Sequence, residues 1–86
     1  MSEFETEVRF VLDEVGAMLV AKNAAYGDSA LNPVRVFSRA GTVEQILVRL
    51  DDKLSRVARG ESCGEDVERD LLGYLVLLRI ARRRGL

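Results

Sequence analysis

VEQILVRLDDKLSRV, residues 43–57, decides the fold. Val43, Leu47, Leu50, Leu54 and Val57 follow one another at steps of 4, 3, 4 and 3. That spacing places them on one face of an α-helix. The same steps recur on either side. Phe4, Val8, Val11, Val15 and Met18 repeat them near the start, and Val67, Leu71, Tyr74, Leu78 and Ala81 repeat them near the end.

Start and stop signals frame all three runs. Ser2 with Glu5, Thr42 with Gln45, and Ser62 with Glu65 have capping-box spacing. In such a box a hydroxyl accepts a free backbone N–H while the acid or amide reaches back. Gly60 closes the second run and Gly85 the third, where Arg79, Arg82, Arg83 and Arg84 suit the negative end of a helix dipole. The expectation is helices over 3–24, 43–59 and 64–84.

The third run is apolar on more than one side. Leu72 and Val76 stand roughly opposite the Val67/Leu71/Tyr74/Leu78 seam. A chain of 86 residues forms one domain, 1–86, and a domain this small buries only about 60% of its unfolded surface. Yet 48% of its residues are hydrophobic. An all-α, three-helix chain that completes its helical bundle by homo-oligomerisation reconciles these facts. A dimer or higher assembly is expected.

Thirteen basic residues against 14 acidic ones give a net charge of −1. That balance argues against a dedicated duplex-DNA binder. Cys63 is the only cysteine and histidine is absent. An intrachain disulfide and the usual zinc sets are therefore excluded, whereas a hard-cation site of Asp and Glu is not. No basic start followed by an apolar run marks a signal peptide. The longest apolar stretch, Leu71 to Leu78, is too short to span a bilayer. The expected compartment is the cytoplasm.

Between the first two helices runs Ala25 to Gly41, a long connection holding the only proline, Pro33. A loop this long in so small a domain is usually functional. Val36 and Phe37 are expected to pin it to the core.

Three groups of residues are candidates for chemistry. The first is acidic: Asp51 and Asp52 on the second helix, then Glu65, Asp66 and Asp70 on the third. Asp66 and Asp70 are one turn apart and repel unless a cation such as Mg²⁺ lies between them. Gly73, beyond Asp70, would leave room for a ligand. The alternative is that acids in a first helical turn complement the dipole, which suits Glu65 and Asp66 better than Asp70. The second group is Lys22, Asn23, Tyr26, Gly27, Asp28 and Ser29. A lysine, small polar groups and an aromatic beside a flexible glycine can hold a phosphate and stack on a base. The plainer reading is a helix end followed by a Gly-Asp turn. The third group, Arg49, Lys53 and Arg56, can neutralise phosphates or simply pair with Asp52.

The three motifs occur in order: K-N-x-x-Y-G-D-S at 22–29, R-L-x-D-K-x-x-R at 49–56 and E-D-x-x-x-D-L-x-x-Y at 65–74. Together they resemble the phage and bacterial family called nucleotide modification associated domain 1. That family looks like a branch of the MazG-like all-α nucleoside triphosphate pyrophosphohydrolases. The resemblance covers residues 15–82. It implies a four-helix-type core, often built from two chains, with Mg²⁺ on helix carboxylates and cleavage between the α and β phosphates. Carried over by motif, Asp52, Asp66 and Asp70 would be metal ligands, with Asp52, Asp70 and Lys53 catalytic. Lys53 and Arg56 would meet phosphates, and Asn23, Tyr26 and Asp28 would line the nucleotide pocket. Where MazG-like enzymes offer E-E-x-x-E and E-x-x-D, this chain has Asp51-Asp52-x-x-Ser55 and a Val67 preceded by Asp66.

Three functions are therefore in play. One is a Mg²⁺-dependent nucleotide pyrophosphohydrolase. Another is a non-catalytic binder that sequesters a cyclic or signalling nucleotide in phage–host conflict. The last is a structural helical interaction module.

Overall fold

A computed structural model describes residues 2–61 and 64–86 of the chain. It contains three helices: α1 (Glu3–Tyr26), α2 (Thr42–Arg59) and α3 (Val67–Arg84). No strand occurs among the described residues, so the chain is all-α as expected.

The helix ends show which local signals act. Ser2 caps α1, its Oγ accepting the Glu5 N–H at 3.1 Å. Thr42 caps nothing. The N-cap of α2 is Gly41, in extended geometry and without a side-chain bond, and Thr42 is the buried first residue of the helix. Its Oγ1 instead accepts from Arg35 at 3.1 Å. The capping box expected at Thr42 and Gln45 does not form, because the helix begins one residue earlier and Thr42 stands inside its first turn. Ser62 lies outside the described residues. The cap of α3 is Asp66, whose carboxylate accepts the Arg69 N–H at 2.9 Å. That moves the helix start from the expected 64 to Val67.

The stops of α2 and α3 fall where expected, while α1 runs past the expected 24 to Tyr26. Gly60 and Gly85 take the left-handed conformation, with φ of 70° and 72°. The following residues donate back across the turn, Glu61 to the Arg56 carbonyl and Leu86 to the Ala81 carbonyl, both at 3.0 Å. These are Schellman closures, and they need the positive φ that glycine supplies without strain.

α2 and α3 form the main packed pair, and α1 packs on α3 but not on α2. The core holds Leu31, Ile46, Leu50 and Ala81, flanked by partly buried Val43, Leu47, Leu71, Tyr74, Leu77, Leu78 and Ile80. Leu31 is the loop residue that enters it. Val36 and Phe37, expected there, are 72% and 99% exposed. The expected seam of α2 is also turned. Ile46 and Leu50 are buried and the Lys53 side chain is only 11% exposed, while Leu54 and Val57 face outward.

α1 crosses α3 at Gly73. A Cβ there would lie 2.9 Å from the Met18 Cε and 3.1 Å from a Leu19 methyl. Met18 and Leu19 of α1 therefore take up part of the space left by the missing side chain, while Gly73 still lines the groove described below. Beyond the crossing, the N-terminal half of α1 is uncovered: Phe4, Phe10 and Leu12 are 73%, 69% and 61% exposed. No helix is long and apolar enough to cross a membrane among the described residues.

Candidate functional site

A groove of about 590 Å³ opens where α1, the connection and the α2–α3 pair meet. Its first wall comes from the end of α1 and the loop: Lys22, Asn23, Tyr26, Ser29, Pro33 and Val34. α2 contributes Gln45, Ile46, Arg49 and Lys53. α3 contributes Asp70, Gly73, Tyr74 and Leu77, with Glu65 just ahead of it. Residues from all three helices are thus needed to build it.

The loop reaches the groove through a left-handed step. Gly27 has φ of 64° and Asp28 has φ of 61°. Both N–H groups turn back to the Asn23 carbonyl, and the Asp28 carbonyl accepts from Asn32 at 2.9 Å. Aspartate is among the few non-glycine residues that tolerate this region. Gly27 and Asp28 therefore shape the turn and do not line the groove. Lys22, Asn23, Tyr26 and Ser29, expected in the same cluster, do line it.

Charge in the groove runs as a chain of ion pairs. Lys22 Nζ is 3.1 Å from Asp70 Oδ1, and Lys53 Nζ is 3.7 Å from Asp70 Oδ2. Lys53 also meets Glu65 at 3.2 Å, Arg56 meets Glu65 at 3.0 Å, and Arg56 meets Asp52 at 3.4 Å. Lys53 and Asp70 are the withdrawn members, with side chains 11% and 10% exposed. The outer pairs are solvated and individually worth little. Arg49 lines the groove and makes no ion pair among the described residues.

The expected metal set does not converge within one chain. Asp52 points to Arg56 with 53% of its side chain exposed, and lies outside the groove. Asp66 is spent on capping α3. Asp70 alone of the three lines the groove, held by two lysines. No group of three His, Cys, Asp or Glu side chains suited to a metal gathers among the described residues. The heptad geometry explains this. Asp52 sits next to Lys53 in sequence, so when Lys53 turns inward Asp52 must turn away.

Sequence reasoning missed the apolar walls, Tyr74 and Leu77 above all. A signal existed. Tyr74 is one turn beyond Asp70 and Leu77 one turn beyond Gly73 on the same side of α3. Capping-box spacing hides Gln45, because it offers the amide a local partner. The amide donates instead to the Ala40 carbonyl at 2.9 Å.

Comparison of the chain with family models, with curated proteins and with solved structures returns no match.

Proposed function

We propose that this chain is a nucleotide-binding protein of the MazG-like kind that works as a homo-oligomer. The observation that carries the reading is the groove itself. Lys22, Arg49 and Lys53 bring three cations to a cleft that also holds Asn23 amide groups and the Tyr26 and Tyr74 rings. Cations suit phosphates, and an aromatic face suits a base. Tyr26 is 68% exposed, so its ring has a free surface on which to stack.

Sequestration without turnover is the reading favoured here. The groove's acids, Glu65 and Asp70, are already neutralised by lysine and arginine. An incoming polyphosphate would take over those cations, exchanging carboxylate partners for phosphate ones. Uncovered apolar residues on α1, with Leu72, Leu75 and Val76 on α3, support self-association.

One observation favours hydrolysis as the second reading. Glu65 and Asp70 converge on a single cationic position, the Lys53 ammonium. Mg²⁺ commonly takes one or two carboxylates and fills its other positions with water and phosphate oxygens. In this reading those two acids would hold it, and it would supply an activated water.

The deciding experiment incubates the protein with nucleoside triphosphates, deoxynucleotides and cyclic dinucleotides, with and without Mg²⁺. Retained and released fractions are then identified by mass spectrometry. An intact nucleotide released only on denaturation supports sequestration. A monophosphate plus pyrophosphate formed only with Mg²⁺ supports hydrolysis. A protein that retains and converts nothing refutes both.

A further inference from the structure

The connection between α1 and α2 ends in a stapled tip. Arg35 Nε donates to the Ala40 carbonyl at 2.9 Å and its terminal nitrogen donates to Thr42 Oγ1 at 3.1 Å. Gln45 donates to the same carbonyl at 2.9 Å, and the Ala40 N–H donates to Ser38 Oγ at 3.0 Å. These bonds tie both ends of the tip to the start of α2. What they hold outward is apolar: Val36 at 72% and Phe37 at 99% exposure. A loop facing only water has no use for an aromatic residue at a fixed apex. An aromatic side chain on a backbone already held in place suits an interface anchor, because little backbone entropy remains to be lost on docking.

A matching surface lies elsewhere on the same chain. Phe4, Val8 and Val11 form the uncovered part of the α1 seam, with 73%, 38% and 47% exposure. Glu3 and Glu7 stand one turn apart along its edge, and neither makes an ion pair among the described residues. At the tip, Arg39 is likewise unpaired among those residues and exposed. The apolar and charged parts therefore correspond: an aromatic knob with a cation beside it, and an apolar stripe with an acidic edge. The patch at Leu72 and Val76 is a poorer receiver, since Arg69, Arg79 and Arg83 outnumber the one acid beside it, Glu68, and would repel Arg39.

We infer that the tip of one copy, Phe37 with Arg39, docks on the N-terminal half of α1 of a second copy, between Phe4, Val8 and Glu7. Both surfaces are uncovered within one chain, so they meet only between copies. This rests on the self-association proposed above and names where it occurs. Because Pro33 and Val34 of the same connection line the groove, the contact also fixes the groove's outer wall.

Analytical ultracentrifugation of the full chain tests it, with circular dichroism confirming helix content in every variant. The wild type sediments as an assembly. Phe37→Asp raises the dissociation constant at least about tenfold, as loss of an interface anchor does. Arg39→Glu and Glu7→Lys each weaken assembly, and the two together restore it. A wild type that stays monomeric at high micromolar concentration overturns both this contact and the self-association. An assembly indifferent to Phe37→Asp overturns the contact alone. Loss with Phe37→Asp but no rescue by the charge exchange overturns α1 as the receiver.

Discussion

Lys53 and Asp70 lie side by side in the groove, Nζ to Oδ2 at 3.7 Å, each with about nine-tenths of its side chain withdrawn from solvent. Lys22 completes the arrangement from α1 on the other carboxylate oxygen. One aspartate therefore ties α1 to α2 through two lysines while standing on α3. Removing one partner of a withdrawn pair leaves the other desolvated and unpaired, which costs more than the pair itself contributes.

Asp70→Asn keeps the shape and removes the charge. It should lower stability by about 2 kcal/mol, measured by urea unfolding. It should also free Lys22 and Lys53 and so tighten the binding of inorganic triphosphate. The same substitution abolishes turnover if the protein hydrolyses nucleotides. Calorimetry with triphosphate, followed by an assay for released pyrophosphate, separates these outcomes.

Asp66→Ala should cost about 1 kcal/mol through loss of the α3 cap and leave ligand binding intact. A Mg²⁺-dependent loss of nucleotide affinity in this variant would contradict the capping role. Asp66→Asn, which still caps, should restore the stability.

Salt should weaken polyphosphate binding steeply. Lys22→Ala and Arg49→Ala should each reduce affinity and flatten the salt dependence, since each removes one cation from the groove. Titrations at low and high salt read both effects. A slope unchanged in Arg49→Ala would place phosphate elsewhere.

At Gly73 the size of the side chain decides the sign. An alanine meets only the flexible end of Met18 and a Leu19 methyl. Its better helix propensity, about 1 kcal/mol, roughly offsets that contact. Gly73→Leu has no such room and should displace α1, costing about 3 kcal/mol and emptying the groove of Lys22 and Tyr26. Thermal unfolding and nucleotide titration of the two variants check this.

Much of the fold could be read from periodicity, and the glycine stops from chemistry. What could not be read was rotation. The seam through Leu50, Leu54 and Val57 assumes that apolar residues turn inward, yet Lys53 occupies the inward position and Leu54 faces out. A tertiary partner, Asp70, outweighed the wheel. Thr42 is likewise displaced from its expected role: the helix starts one residue earlier, at the cap Gly41, and the hydroxyl is held by Arg35, seven residues back. The Lys22, Asn23, Tyr26 and Ser29 cluster reached the groove because a helix end and its turn are local. The acidic triad stays apart within one chain because its convergence depends on helix rotation, which neighbouring residues cannot report.

The one-sided attachment of α1 sets the order of events in folding. α2 and α3 are joined by a short link and bury most of the core between them, so they can pair while α1 is still a coil. A 24-residue helix that packs on α3 alone arrives last and leaves first. Its amides should exchange with solvent well before those of α3, and the groove should appear and vanish with it. A bound nucleotide would then act as a clasp, slowing exchange in α1 far more than in the helical pair beneath.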